Sequence, residues 1–92
     1  MTTKYVKNPI LIDAVQFNYE NKDRVLSWAK SIQFNVYHGW DENHKPAIII
    51  PTSEGEMMCR LGDFIVVEPF PTNDRKLYPC KEEVFKKTYM PL

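Results

Sequence analysis

Apolar residues fall into short runs, and the spacing within each run predicts its element. Pro9-Ile10-Leu11-Ile12-Asp13-Ala14-Val15-Gln16-Phe17 carries apolar side chains on both faces of an extended chain, as in a strand covered on both sides. Pro9 stands at its start, where a missing N–H does least harm. Val25, Trp28, Ala29 and Ile32 then recur at i, i+3, i+4 and i+7, one stripe of an amphipathic helix. Asn21 offers an N-cap, Asp23 an acid for the first turn and Lys30 a base for the last. Phe34, Val36 and His38 alternate with Asn35 and Tyr37, the pattern of a half-buried strand. Ala47-Ile48-Ile49-Ile50 reads as an apolar strand stopped near Pro51, Met57 to Arg60 as a short strand, and Phe64-Ile65-Val66-Val67 as a third apolar one.

The segments between these runs are turns. Ser53-Glu54-Gly55-Glu56 and Leu61-Gly62-Asp63 each supply a glycine for a tight reversal, and two close turns make an antiparallel meander the simplest topology. The acid of Gly62-Asp63 is expected to bond the local backbone. Pro69-Phe70-Pro71-Thr72-Asn73-Asp74 is a proline-containing loop, followed by a short strand from Arg75 to Tyr78. From Pro79 to Lys87 a short helix is expected, because Glu82 and Glu83 precede Lys86 and Lys87 and form the i, i+4 pairs Glu82/Lys86 and Glu83/Lys87. Thr88-Tyr89-Met90 then returns as a final strand. The fold class expected is α+β: a five- or six-stranded, mainly antiparallel curved sheet with one amphipathic helix and one short C-terminal helix, forming one domain over residues 1–92. Ile10, Ile12, Val15, Ile48, Ile50, Ile65 and Phe85 are the expected core.

Composition narrows the function classes. Hydrophobic residues make up 43% and aromatics 13%, which excludes a disordered chain. Twelve basic and twelve acidic residues cancel and are interspersed, so no basic stripe favours nucleic acid, and self-association meets little long-range repulsion. No apolar run is long enough to span a membrane, and the first residues lack the apolar stretch of a signal peptide. Cys59 and Cys80 form no CxxC pair, so free thiols in a reducing cytoplasm are expected. An unpaired sheet edge together with zero net charge leads us to expect a homodimer, unless Pro51, Pro69 or Pro71 blunts that edge.

Chemistry-bearing residues are few. His38 and His44 flank a polar loop containing Asp41 and Glu42, but their spacing matches no standard zinc pattern, and no metal or cofactor is expected. Cys80 lies at the expected start of the short helix beside Lys81, features that would lower a thiol pKa and permit pairing with either histidine. The alternative is a small buried hydrophobe. Aromatic residues near cations allow a nucleotide site: Trp40 and Tyr78 to stack a base, Lys45 and Lys81 to hold phosphate, and Gln16 to read a base edge with its amide. The competing reading is that the aromatics fill the core.

Four segments, in order, resemble a family of small proteins encoded by tailed phages and prophages, mostly of Gram-positive hosts. They are Lys7-Asn8-Pro9 with Ile12-Asp13-Ala14-Val15-Gln16-Phe17; Thr52-Ser53-Glu54-Gly55; Gly62-Asp63-Phe64-Ile65-Val66; and Tyr78-Pro79-Cys80-Lys81 with Phe85, Thr88 and Tyr89. The last is the most specific. This chain departs from the family in its proline-containing loop, where a short glycine-rich hairpin is usual, and at Glu82, where proline is frequent. The resemblance implies a phage accessory protein in the host cytoplasm. Small phage proteins of this kind often neutralise a host component, so the leading expectation is non-enzymatic binding. The partner would be a host defence protein met by direct contact, or a small nucleotide signal that is sequestered. The alternatives are a structural or regulatory phage protein without a defence role, and a small enzyme using Cys80 or an acidic residue.

Overall fold

In the computed structural model the described residues are 2–5, 9–52, 54–68 and 77–92. Among them the apolar runs become six strands and two helices: β1 (Ala14–Gln16), α1 (Lys22–Ser31), β2 (Tyr37–Trp40), β3 (Pro46–Thr52), β4 (Gly55–Arg60), β5 (Phe64–Val67), β6 (Leu77–Cys80) and α2 (Glu82–Thr88). The class is α+β. Instead of one curved sheet there are two three-stranded antiparallel sheets, ordered β1-β5-β6 and β2-β3-β4. Lys7, Asn8, Ser53 and residues 69–76, which include the proline-containing loop and Arg75, lie outside the described residues.

The turn after β4 divides the sheets. Gly62 takes φ +90°, a left-handed conformation that glycine adopts without strain. Asp63 closes the turn locally, accepting the Arg60 N–H on Oδ2 at 3.1 Å and donating its own N–H to the Arg60 carbonyl at 2.9 Å. The outward groups of the turn are claimed by Phe17: the Gly62 N–H donates to the Phe17 carbonyl at 2.8 Å, and the Phe17 N–H to the Asp63 carbonyl at 2.9 Å. Those bonds lead β5 away from β4 and onto β1. The expected meander is therefore realised only for β2-β3-β4.

Three prolines sit inside strands without breaking a ladder, because each missing N–H points where no strand is paired. Asp41 donates to Lys45 across the β2–β3 hairpin, so Ala47 and Ile49 face β2 and the even-numbered residues of β3 face β4. Pro51 points toward β2 beyond its last partner at Ile49, and Pro46 points toward β4 beyond its last partner at Ala47. The chain accordingly runs through Pro51 rather than stopping there. Pro79 stands opposite Ile65, whose backbone is turned toward β1, so its nitrogen lies on the free edge of β6.

Both sheets and α1 enclose one core: Phe17, Val25, Ala29, Ile48, Ile50, Cys59, Ile65 and Leu77. Val15 packs against it, half-buried. Ile10 does not join it, being 42% exposed, and Leu11 is 76% exposed. The expected strand from Pro9 pairs only over Ala14–Gln16, because β5 offers it no partner beyond the bond from the Val67 N–H to the Asp13 carbonyl. Phe85 also lies outside the main core. It stacks on Phe64 at 3.8 Å and meets Tyr89 at 4.8 Å, so α2 forms a second aromatic layer on the opposite face of the β1-β5-β6 sheet. Tyr89 ends α2 in an extended conformation, and no strand follows it.

Gly39 on β2 lies beneath Ile49: a Cβ there would stand 2.7 Å from Ile49 Cγ1. A β-branched side chain in a strand has little freedom to move aside. Gly39→Ala is expected to cost about 1–3 kcal/mol in urea unfolding, as overpacking does. In an Ile49→Ala background the same change should cost less, and equal costs in both backgrounds would refute the steric account.

A candidate binding groove between β1 and α1

The residues singled out for a nucleotide site divide between the two sheets. Trp40 and Lys45 belong to the β2–β3 hairpin. Trp40 is 59% exposed and sets its ring edgewise to His38 at 4.7 Å. Lys45 is exposed, and its backbone N–H is bonded by Asp41 Oδ1 at 2.9 Å. That bond holds the Asp41 carboxyl below its ordinary range. Gln16, Tyr78 and Lys81 lie instead around the β1-β5-β6 sheet and α2.

Within that second group the polar atoms of Gln16 and Tyr78 are already engaged. The Gln16 amide donates to the Gly62 carbonyl at 3.0 Å and to Glu82 Oε2 at 2.8 Å, tying β1 to the turn and to α2 rather than leaving it to read a base. Glu82 also pairs with Lys86 at 3.0 Å, and these two donors, Lys86 first, lower its pKa. Tyr78 and Tyr89 bring their hydroxyls to 3.2 Å. Lys81 is exposed at the N-cap position of α2, a helix of only seven residues, and Glu82 directly follows it. Phe85 and Tyr89 thus pack α2 on its sheet, and Tyr78 meets Tyr89 across that contact.

A concave surface of the described residues lies elsewhere. An open groove of about 450 Å³ runs between β1 and α1, lined by Asp13, Ala14, Val15, Asn21, Arg24, Val25 and Trp28. Two features build it. Asn21, at the N-cap position of α1, makes no cap bond with its side chain; its amide donates to the Gln16 carbonyl at 2.6 Å and fixes the helix start against β1. The ladder parity of β1 does the rest. Asp13 and Phe17 bond toward β5, so Ala14 turns its N–H and C=O away from the sheet, along the free edge that the groove follows. Arg24 and Trp28, one helical turn apart, add a cation and an aromatic face. From the sequence, Val25 and Trp28 read as core stripe and Asn21 as a cap; the one legible signal was the Arg24/Trp28 spacing.

The thiols are held in their protonated form. Burial, reinforced by the Asp63 charge, pushes Cys59 up to about 12. The same two causes, in the same order, raise Cys80, contrary to the lowering expected at a helix start beside Lys81. Both cysteines are free. His38 lies on β2, with its Nε2 buried and without a hydrogen-bond partner, whereas His44 sits in the hairpin loop at φ +60°. Among the described residues no three His, Cys, Asp or Glu side chains come together.

An alkaline weakening of the fold follows from Cys59. Its folded pKa lies above the ordinary value of 9.0, so its contribution is intact below pH 9 and is lost as pH rises from there toward 12. At pH 10 the loss should be about 1 kcal/mol relative to neutral pH. Unfolding of wild type and Cys59→Ala at both pH values checks this; parallel declines in the two proteins would assign the effect to other groups.

In comparisons with known proteins, no family model, no curated protein and no solved structure matched this chain. What defines the class is the architecture itself: α+β, with two three-stranded antiparallel sheets and two helices among the described residues. No helix among those residues is long and apolar enough to cross a membrane.

Proposed function

We propose that this protein is a phage accessory protein that acts by binding, without turnover, and engages a host defence component by protein contact. The phage source is supported by the resemblance of the four sequence segments, and the defence role by the frequency with which small phage proteins neutralise a host component. The mode of binding is supported by one observation: Ala14, whose N–H and C=O turn away from β5 on the free edge of β1, lines a groove together with Arg24, Val25 and Trp28. An extended segment of a partner adds to such an edge through main-chain bonds, while flanking side chains supply specificity. The groove is open, and Asp13 stands in it with Arg24, which suits a polypeptide of mixed charge better than a phosphate group.

Nucleotide sequestration is the second reading, favoured by Trp28 beside Arg24, an aromatic face next to a cation. Affinity capture from host cells, with wild type, Ala14→Pro and Trp28→Ala as bait, is run beside calorimetry with cyclic and linear nucleotides. Protein contact predicts one stoichiometric host protein on wild type that is lost from Ala14→Pro. A nucleotide bound tighter than ~100 μM, about −5.5 kcal/mol, and weakened by Trp28→Ala, would transfer the role to sequestration. Consumption of the nucleotide would instead restore the enzymatic alternative.

A further inference from the structure

We infer that, in the free protein, the β1 groove is filled by the β1 arm of a second copy, giving a two-fold homodimer whose contact the host partner must displace. The inference shares with the proposed function the premise that β1's free edge accepts a strand. The argument starts from a mismatch. Residues 9–13 have the both-face apolar pattern of a covered strand, yet in one copy this arm is largely uncovered, with Ile10 42% and Leu11 76% exposed. It leads directly into β1, so the exposed arm and the vacant edge are consecutive in the chain. A second copy brings both together, and isologous pairing of two identical edges closes without leaving a free one there. Zero net charge imposes no long-range opposition.

The register can be derived. Continuing β1's alternation, the even residues Ile10, Ile12 and Ala14 face outward and carry the intermolecular bonds. A two-fold axis at Asp13 would set the two Asp13 carboxylates opposite each other. An axis at Ala14 would require the Gln16 carbonyl, which Asn21 already occupies. An axis at Ile12 avoids both: Ile10 of one copy pairs with Ala14 of the other, and Leu11 lies opposite Asp13. Cross-strand partners share a face. Leu11 therefore falls on the side of Val15 and α1, against Trp28 of the other copy.

Light scattering at micromolar concentration should give twice the 10.9 kDa chain mass. Ala14→Pro removes an N–H that the β5 ladder does not use, and Leu11→Glu charges an exposed position. Each should yield the chain mass with circular dichroism unchanged. If Ala14→Pro fails to fold, Leu11→Glu alone decides. In a Cys80→Ser background, Ile12→Cys near the axis should form a covalent dimer under mild oxidation much faster than Lys30→Cys. A monomeric wild type, a dimer that survives Leu11→Glu, or equal crosslinking rates would each overturn the inference. Leu11→Glu leaves the groove of each copy intact, so it should still capture the host partner. Loss of the dimer and loss of the partner are therefore separate outcomes.

Discussion

Phe17→Ala is expected to lower stability by about 3–5 kcal/mol, enough to unfold much of the population of a marginally stable domain. The ring is completely buried in the core shared by α1 and both sheets. Its backbone holds the turn that sends β5 onto β1, through the bonds with Gly62 and Asp63. Truncation leaves those backbone groups in place but removes the ring packed behind them, so the cavity and the lost transfer energy add. Phe17→Leu retains apolar volume and should cost clearly less. Denaturant unfolding of the three proteins tests this. A loss below about 1 kcal/mol for alanine, typical of surface positions, would remove Phe17 from the core.

The second large effect separates two isoleucines that look alike in sequence. Ile48→Ala should cost about 2–5 kcal/mol, because the side chain is fully enclosed on β3 and has no room to relax outward. Ile10→Ala should change stability by no more than about 0.5 kcal/mol, as exposed substitutions do. The comparison is made in the Leu11→Glu background, where the dimer contact is absent and Ile10 reports on the single chain. Unfolding midpoints at equal slope give both values. A comparable loss at Ile10 would mean that the arm packs on its own copy, and would also weaken the case for a second copy covering it.

Local periodicity and turn chemistry determined much of this protein without tertiary information. The i, i+3, i+4 part of the stripe placed α1 and its buried Val25 and Ala29, whereas its i+7 member, Ile32, caps the helix and is exposed. The alternation from Phe34 to His38 appears as half-buried and exposed positions in the expected phase, although β2 itself begins at Tyr37. Phe64–Val67 is a strand as read, and Asp63 bonds the local backbone as its turn position required. These features depend on residues within a few positions of one another, which is why the chain alone reveals them.

Tertiary pairing decided the rest. Whether β5 folds back on β4 or crosses to β1 depends on the Phe17 bonds to Gly62 and Asp63, partners more than forty positions away in the chain. The same crossing splits the sheet and leaves the arm from Pro9 to Asp13 with an apolar pattern but no strand pairing beyond the Val67 bond. It also commits the Gln16 amide to Gly62 and Glu82, and separates Trp40 and Lys45 from Tyr78 and Lys81. The groove emerged only when the ladder parity of β1 turned Ala14 outward beside Arg24 and Trp28. Side-chain pattern records which faces are apolar, but backbone hydrogen bonds choose the neighbours, and the neighbours determine which edge remains free to bind.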